Sequence, residues 1–255
     1  MDAESRRLVD RVAIVTGASR GIGLAIARRL VAEGARVGLT ARHTEALDEA
    51  VTALGGPAYA VAVAGRADDT AHQADAVRQV SAAFGPVDLL VNNTGINPVH
   101  GPLVDLDLAA ARKILDVNLV AALGWVQAVC AAGMTERGGC VVNVSSIAGL
   151  APAPGIAFYG VSKAALNHLT ASLAVELGPT VRVNAVAPGV VKTRFAAALY
   201  EGREEEVAAR YPLGRLGVAD DVAGAVAFLA SADAAWITGQ TIVCDGGVTL
   251  AGRSG

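Results

Sequence analysis

The chain has 255 residues, is 53% hydrophobic but only 4% aromatic, and carries 29 glycines with a formal net charge of -3. An acidic balance without any Lys/Arg run argues against nucleic acid as a partner. Cys130, Cys140 and Cys244 fit no C-x-x-C spacing and the four histidines are scattered, so no metal site is expected, and free thiols fit a reducing, cytoplasmic setting.

The first residues, MDAESRRLVD, are polar and offer no secretory signal. Apolar runs of strand length then alternate with helical patterns. Residues 11–17 predict a first strand. A helix follows over 21–34, where Ile22, Ala25, Ile26, Leu30 and Val31 recur at 3.6 spacing and Gly34 marks the stop. Strands are predicted at 35–41 and 58–65, each followed by a helix, near 43–54 and 68–83. The fourth strand, 87–93, follows the break at Phe84-Gly85-Pro86. From Val117 to Thr135 no residue is charged, which approaches bilayer length. Asn118, Gly124, Gln127 and Gly133 interrupt it and no positive flank orients it. A helix packed on both sides, within the fold or against a second subunit, is the expectation, and a membrane partner is not. Strands at 139–146, 181–189 and 240–247 complete seven, the last two separated from the fifth by a helix around Tyr159. Strand–helix alternation with near-continuous Val/Ile/Leu/Ala runs predicts one domain, an α/β doubly wound sheet of parallel strands with helices on both faces.

In such a sheet ligands bind beyond the carboxyl ends of the strands. The first strand ends in TGASRGIG (16–23), which places Gly17, Gly21 and Gly23 between strand and helix. A glycine loop there lets backbone N–H groups and the helix N-terminus approach a pyrophosphate. The same letters satisfy the G-x-S-x-G nucleophile elbow of hydrolases. A hydrolase would need that elbow later in the sheet and a histidine in a downstream loop, whereas one strand precedes it here and His168 lies mid-helix. An NAD-binder usually ends its second strand with an acid that grips the ribose 2′-hydroxyl. This strand ends Ala41-Arg42, and Glu45 is the nearest acid. Arg20 and Arg42 therefore suit a 2′-phosphate, so NADP(H) is the expected cofactor.

Tyr159 and Lys163 are four residues apart, on one face of a helix. An ammonium there would favour the phenolate and tune a proton donor. Taken alone, the pair reads more readily as a surface tyrosine beside a solvated lysine.

TGASRGIG, NNTG (92–95), Asn118 in DVNLV, VNVSSIAG (142–149), YGVSK (159–163) and NAVAPGVVKT (184–193) together resemble the short-chain dehydrogenase/reductase family, in its subgroup of about 250 residues. The resemblance runs from Arg11 to Val248 and implies a Rossmann-like core over 11–248. NPVHG, APGVVKTRF and RLG are similar to NADPH-dependent carbonyl reductases and 3-oxoacyl reductases. The resemblance implies Tyr159 as the acid/base, with Lys163 lowering its pKa and binding the nicotinamide ribose. Ser146, rather than Ser145, would hold the substrate oxygen, and Asn118 would interrupt the long helix and anchor a water relay to Lys163. Asn92 and Gly95 would line the cofactor cleft, beside Gly17, Ser19, Arg20, Gly21, Ile22, Gly23 and Arg42. Pro188, Gly189, Val191 and Thr193 would seat the nicotinamide carboxamide.

The implied activity is reduction of a mainly apolar ketone or aldehyde. Three alternatives stand beside it: a 3-oxoacyl-thioester reductase, a secondary-alcohol dehydrogenase run oxidatively, and a nucleotide-binding regulator without catalysis. The pocket is expected from 97–101, 150–158 and 194–211, with Leu150, Pro152, Phe158, Phe195, Leu199 and Tyr200. Arg137 meets one of two family positions for docking an acidic carrier, Lys192 and Arg194 could add charge, and GREEEV (202–207) would repel. A homotetramer, or a homodimer, is implied. Two departures from the family pattern stand out. Thr94 replaces an alanine, and Gly65 occupies the place of an aspartate that reads adenine, leaving the backbone, with Asp68 as a weak substitute, to hold that base.

Overall fold

A computed structural model describes residues 7–251; part of the polar start read above lies outside them. In chain order the elements are β1 (Val12–Thr16), α1 (Gly21–Ala32), β2 (Arg36–Ala41), α2 (Thr44–Ala53), β3 (Ala60–Ala64), α3 (Thr70–Phe84) and β4 (Leu89–Asn92). There follow α4 (Leu108–Leu115), a π-helical turn (Asp116–Val120), α5 (Ala121–Ala131), α6 (Met134–Arg137) and β5 (Gly139–Val144). The chain closes with α7 (Ala157–Leu177), β6 (Val181–Pro188), α8 (Glu204–Ala208), α9 (Ala219–Ala230), β7 (Thr241–Cys244) and α10 (Val248–Ala251).

The seven strands form one parallel sheet in the order β3-β2-β1-β4-β5-β6-β7. β1 and β5 are buried along nearly their whole length, which is why they read as unbroken apolar runs. One core cluster joins the sheet to α1, α2 and α9 through Ile26, Leu30, Leu47, Val222 and Val226. The other joins it to α3, α5 and α7 through Val77, Val80, Trp125, Val129 and Leu173. The reversal of winding order between β1 and β4 opens a crevice above their carboxyl ends, the place where such sheets take ligands.

The uncharged helix starts earlier than its lack of charge indicated, at Leu108, and Leu108–Ala131 is long and apolar enough to cross a membrane. It is instead a helix of the core: Ile114, Trp125, Val126 and Val129 are buried, and α5 packs on α3 and β4. Its interruption falls at Asn118, in the π turn, the kind of local widening that clusters at functional sites. Helix α9 was not anticipated. It lies between two strands already assigned, and Asp221 folds back to accept from Val218 N at 2.8 Å, so its acidic first turn was the available signal.

Candidate active site

Gly17 turns the chain out of β1 with φ +64°, a left-handed conformation that glycine adopts without steric cost. A Cβ on Gly23 would collide with Gly17 O and press on Ala18 at 3.0 Å, so α1 begins tight against the loop. The loop is fastened from β4: Asn93 Nδ2 donates to Thr16 O (2.8 Å) and Gly17 O (3.2 Å), and the N–H groups of Asn93 and Thr94 donate to Thr16 Oγ1. Ser19 is half-buried, Ile22 packs on the core, and Gly21 faces the Thr193 methyl, 3.6 Å from where a Cβ would sit. A cradle closed to every side chain, at a helix N-terminus beyond a parallel strand, fits a dinucleotide pyrophosphate.

Ala18 N donates to Thr40 O, which ties the loop to the end of β2 and brings Arg20 and Arg42 to one edge of the crevice. Both are exposed, and among the described residues neither makes an ion pair.

The catalytic candidates converge over β4, β5 and β6. Lys163 is 2% exposed and its Nζ donates to Val144 O at 2.7 Å. It lies 5.7 Å from the Tyr159 ring centroid. The 3₁₀ turn Ile147–Gly149 sits directly on α7, because a Cβ on Gly149 would press on the Lys163 backbone and one on Gly160 on Ala148 O. That approach brings Ser146 to Tyr159, while Ser145 is buried and spends its hydroxyl on Lys163 O.

The sequence expectation for the phenol is corrected here. Burial pushes Tyr159 up to about 12, partly offset by Ser146, and burial pushes Lys163 down to about 8. Desolvation sets the direction for both groups.

Asn118 Oδ1 accepts from Ile96 N at 2.8 Å, and its Nδ2 donates to Ile96 O and Ser162 Oγ, both at 3.0 Å. It therefore locks the segment after β4 to α7. Gly95 lies between Asn118 and Lys163, a Cβ there falling 3.6 Å from Asn118 Oδ1 and 3.5 Å from Lys163 Nζ.

Asn92 does not line the cleft. Its side chain is buried and donates to Asn143 Oδ1 and Ala122 O, because it points into the core from the last position of β4; Asn93 and Thr94 face the glycine loop instead. Asn143 continues to Thr170 Oγ1 at 2.9 Å. Sequence reasoning missed this buried Asn92–Asn143–Thr170 chain, and polar letters inside apolar runs were its only sign.

Beyond β6, Pro188 and Val191 are buried, and Val191 bridges to Gly217 and joins the core, so only its backbone can face a ligand. Gly189 is packed against Asp245 and Tyr211. Tyr211, which bounded the expected pocket, is buried and accepts from Val190 N at 3.0 Å. Thr193 Oγ1 donates to Val191 O at 3.3 Å. Phe195 tilts over Tyr159 with centroids 6.1 Å apart, and Leu150 and Leu199 are exposed nearby in sequence.

The cations weighed for carrier docking are otherwise placed. Lys192 is paired with Glu204. Arg137 precedes β5, at the amino edge of the sheet, opposite Tyr159, and caps Ala132 O.

Residues 17–249 match the family model described as enoyl-(acyl carrier protein) reductase. Dehydrogenase/reductase SDR family member 4 of Homo sapiens is 42% identical over 246 residues, 94% of this chain and 88% of that protein. Its Caenorhabditis elegans counterpart is 40% identical over 260 residues, 97% and 98% of the two chains. The crystal structure of a short-chain dehydrogenase/reductase, glucose/ribitol dehydrogenase, from Brucella melitensis superposes with a TM-score of 0.91 at 31% identity, covering 96% of this chain and 98% of that one. With a glycine loop on β1 and Ser146, Tyr159 and Lys163 gathered over β5, the chain belongs to the short-chain dehydrogenase/reductase family.

Proposed function

We propose that this protein is an NADPH-dependent carbonyl reductase that converts a mainly apolar ketone or aldehyde to the alcohol. The observation that carries the reading is the packing of the Ser146 turn onto α7, which sets a hydroxyl and a phenol at one carbonyl oxygen. Gly17, Ser19, Gly21, Ile22 and Gly23 would hold the pyrophosphate, and Arg20 and Arg42 the 2′-phosphate. Lys163 and Gly95 would border the nicotinamide ribose, with Pro188, Gly189, Val191 and Thr193 beside the carboxamide. Bound there, the dinucleotide supplies a hydride to the carbonyl carbon.

Tyr159 gives its proton to the carbonyl oxygen as the carbon is reduced, and Ser146 holds that oxygen. A phenol is protonated at neutral pH and so is ready to donate as the carbonyl is reduced. Asn118 contributes by holding Ile96 and Ser162, which keeps the floor beneath Lys163 in place. Leu150, Phe195 and Leu199 present apolar surface to the substrate. A carrier-bound thioester fits less well, because Lys192 is neutralised by Glu204 and Arg137 lies at the far edge of the sheet.

We place the protein in the cytoplasm as a homotetramer. Free cysteines support the first, and the second is supported by apolar side chains exposed on the single chain, Val120, Val175 and a 99% exposed Trp236.

The deciding experiment follows NADPH consumption with a panel of ketones, aldehydes and acyl thioesters, alongside fluorescence titration with NADPH and NADH. Turnover of simple ketones and at least about tenfold tighter NADPH binding are expected, and Arg42→Asp should narrow or reverse that preference. Equal affinities in the unmutated protein would remove the role given to the two arginines. A hundredfold, salt-sensitive preference for carrier-bound 3-oxoacyl groups would install the thioester reading.

A further inference from the structure

The strand order locates the base of the dinucleotide. Hydride chemistry sits over β4 to β6, the pyrophosphate cradle over β1 and the arginines at β2. A ligand laid along those carboxyl ends must put its base beyond β2, over the end of β3 and the loop to α3. This step rests on the dinucleotide reading above.

Gly65 opens that loop. A Cβ on it would collide with Nδ1, Cγ and Cε1 of His72, so an imidazole from α3 already fills the space that a side chain at position 65 would enter. The loop is not free to be reshaped. Gln73 Nε2 and Trp125 Nε1 both donate to Ala67 O, at 2.8 and 3.1 Å, and Asp68 is held by Arg66 and Lys113. Asp68 is thus unavailable as a base contact.

His72 is 9% exposed and stands perpendicular to Trp125, ring centroids 5.7 Å apart at 86°. Its Nε2 is buried with no hydrogen-bond partner. In the tautomer that carries its proton on Nε2, Nδ1, beside Gly65, is an acceptor. Burial lowers the His72 pKa, against weaker raising by Asp69 and Asp75, and so favours the neutral ring such an acceptor needs.

We propose that His72 Nδ1 accepts a hydrogen bond from the exocyclic amine of the adenine, so that a histidine on α3 and the bare backbone at Gly65 together read the base.

The test compares NADPH with its deaminated analogue, in which hypoxanthine presents a carbonyl where adenine has the amine. Fluorescence titration should show the wild type binding NADPH about fivefold more tightly, the worth of one net hydrogen bond. His72→Ala should bring the ratio near one while keeping the preference for NADPH over NADH, and Gly65→Asp combined with His72→Ala should restore it. Should His72→Ala fold poorly, ¹⁵N-histidine spectra of the wild type supply the answer, since the His72 Nδ1 resonance should move with NADP⁺ and not with the deaminated analogue. A ratio untouched by His72→Ala, or an unmoved resonance with NADP⁺ bound, overturns the proposal while leaving the cofactor reading intact. If the wild type binds neither dinucleotide, the cofactor reading fails and this proposal with it.

Discussion

The floor of the site and its roof are built by opposite rules. Beneath the substrate, Asn118, Asn143, Ser162 and Lys163 are all buried, and each spends its polar atoms on named partners across four elements. Above it, Phe195 is 60% exposed, Leu199 and Leu213 project into solvent, and the 194–211 segment is tethered by the exposed Lys192–Glu204 pair and by Tyr200 Oη to Thr193 O at 3.4 Å. Breaking a buried polar network is costly because its groups cannot turn to water, whereas an exposed ion pair contributes little. The chemistry is therefore held rigid, and discrimination among substrates is left to a segment that can move and vary at small cost.

The sharpest break of that contrast is Tyr159→Phe. It removes the one proton the floor delivers while leaving the cradle untouched, so kcat should fall by about 10²–10⁴-fold with the NADPH Kd unchanged. A variant retaining a tenth of the turnover on a good ketone would show that Tyr159 is not the acid.

Next in size is Asn118→Ala, which orphans Ile96 N and Ile96 O and removes the bond Ser162 Oγ accepts, while Ser162 keeps its own bond to Tyr159 O. About 1–3 kcal/mol of stability should be lost, read as a lowered urea midpoint, and an unchanged midpoint would mean the network is not cooperative with the fold.

Lys163→Met probes the burial of charge in the floor. The lysine is pushed down to about 8 in the folded chain from a reference value of 10.5, so between those values the unfolded state binds more protons and folding gains stability as pH rises. The variant should exceed the wild type in Tm most below pH 8, with the difference shrinking toward pH 10.5. A difference independent of pH would place the ammonium in contact with water.

The smallest stability effect belongs to the roof. Phe195→Ala should change stability by no more than about 0.5 kcal/mol, yet shift kcat/KM between bulky and small ketones severalfold. Should both ketones respond equally, Phe195 does not select substrates.

All seven strands, their parallel sense and the crevice above β1 were legible because the central strands are buried on both faces and read as mostly apolar runs, while the half-buried edge strands β3 and β7 keep short apolar runs of strand length. So were the members of the site, since Gly17, Ser146, Tyr159 and Lys163 stand in motifs whose spacing is set locally, by one turn of helix or one strand–helix junction. Helix α9 escaped because alanine recurs through it and blurs its 3.6 spacing, although β6 and β7, being parallel neighbours, needed a crossover between them.

The remaining decisions are about which way a side chain points and what surrounds it, and those need the third dimension. Asn92 and Asn93 are neighbours in one motif, yet the alternation of a strand sends Asn92 into the core and lets Asn93 hold the glycine loop. Lys163 was placed beside Tyr159 by sequence alone, but the sign of the phenol's shift depends on how much water the fold removes from both groups. Gly65 looked like a missing contact, and only the packing of α3 shows the imidazole of His72 standing where its side chain would go. Sequence determined which residues meet within one element or across one junction, through local periodicity; the tertiary structure decided which residues of distant elements meet and what each one faces, through burial and the partners brought from elsewhere in the chain.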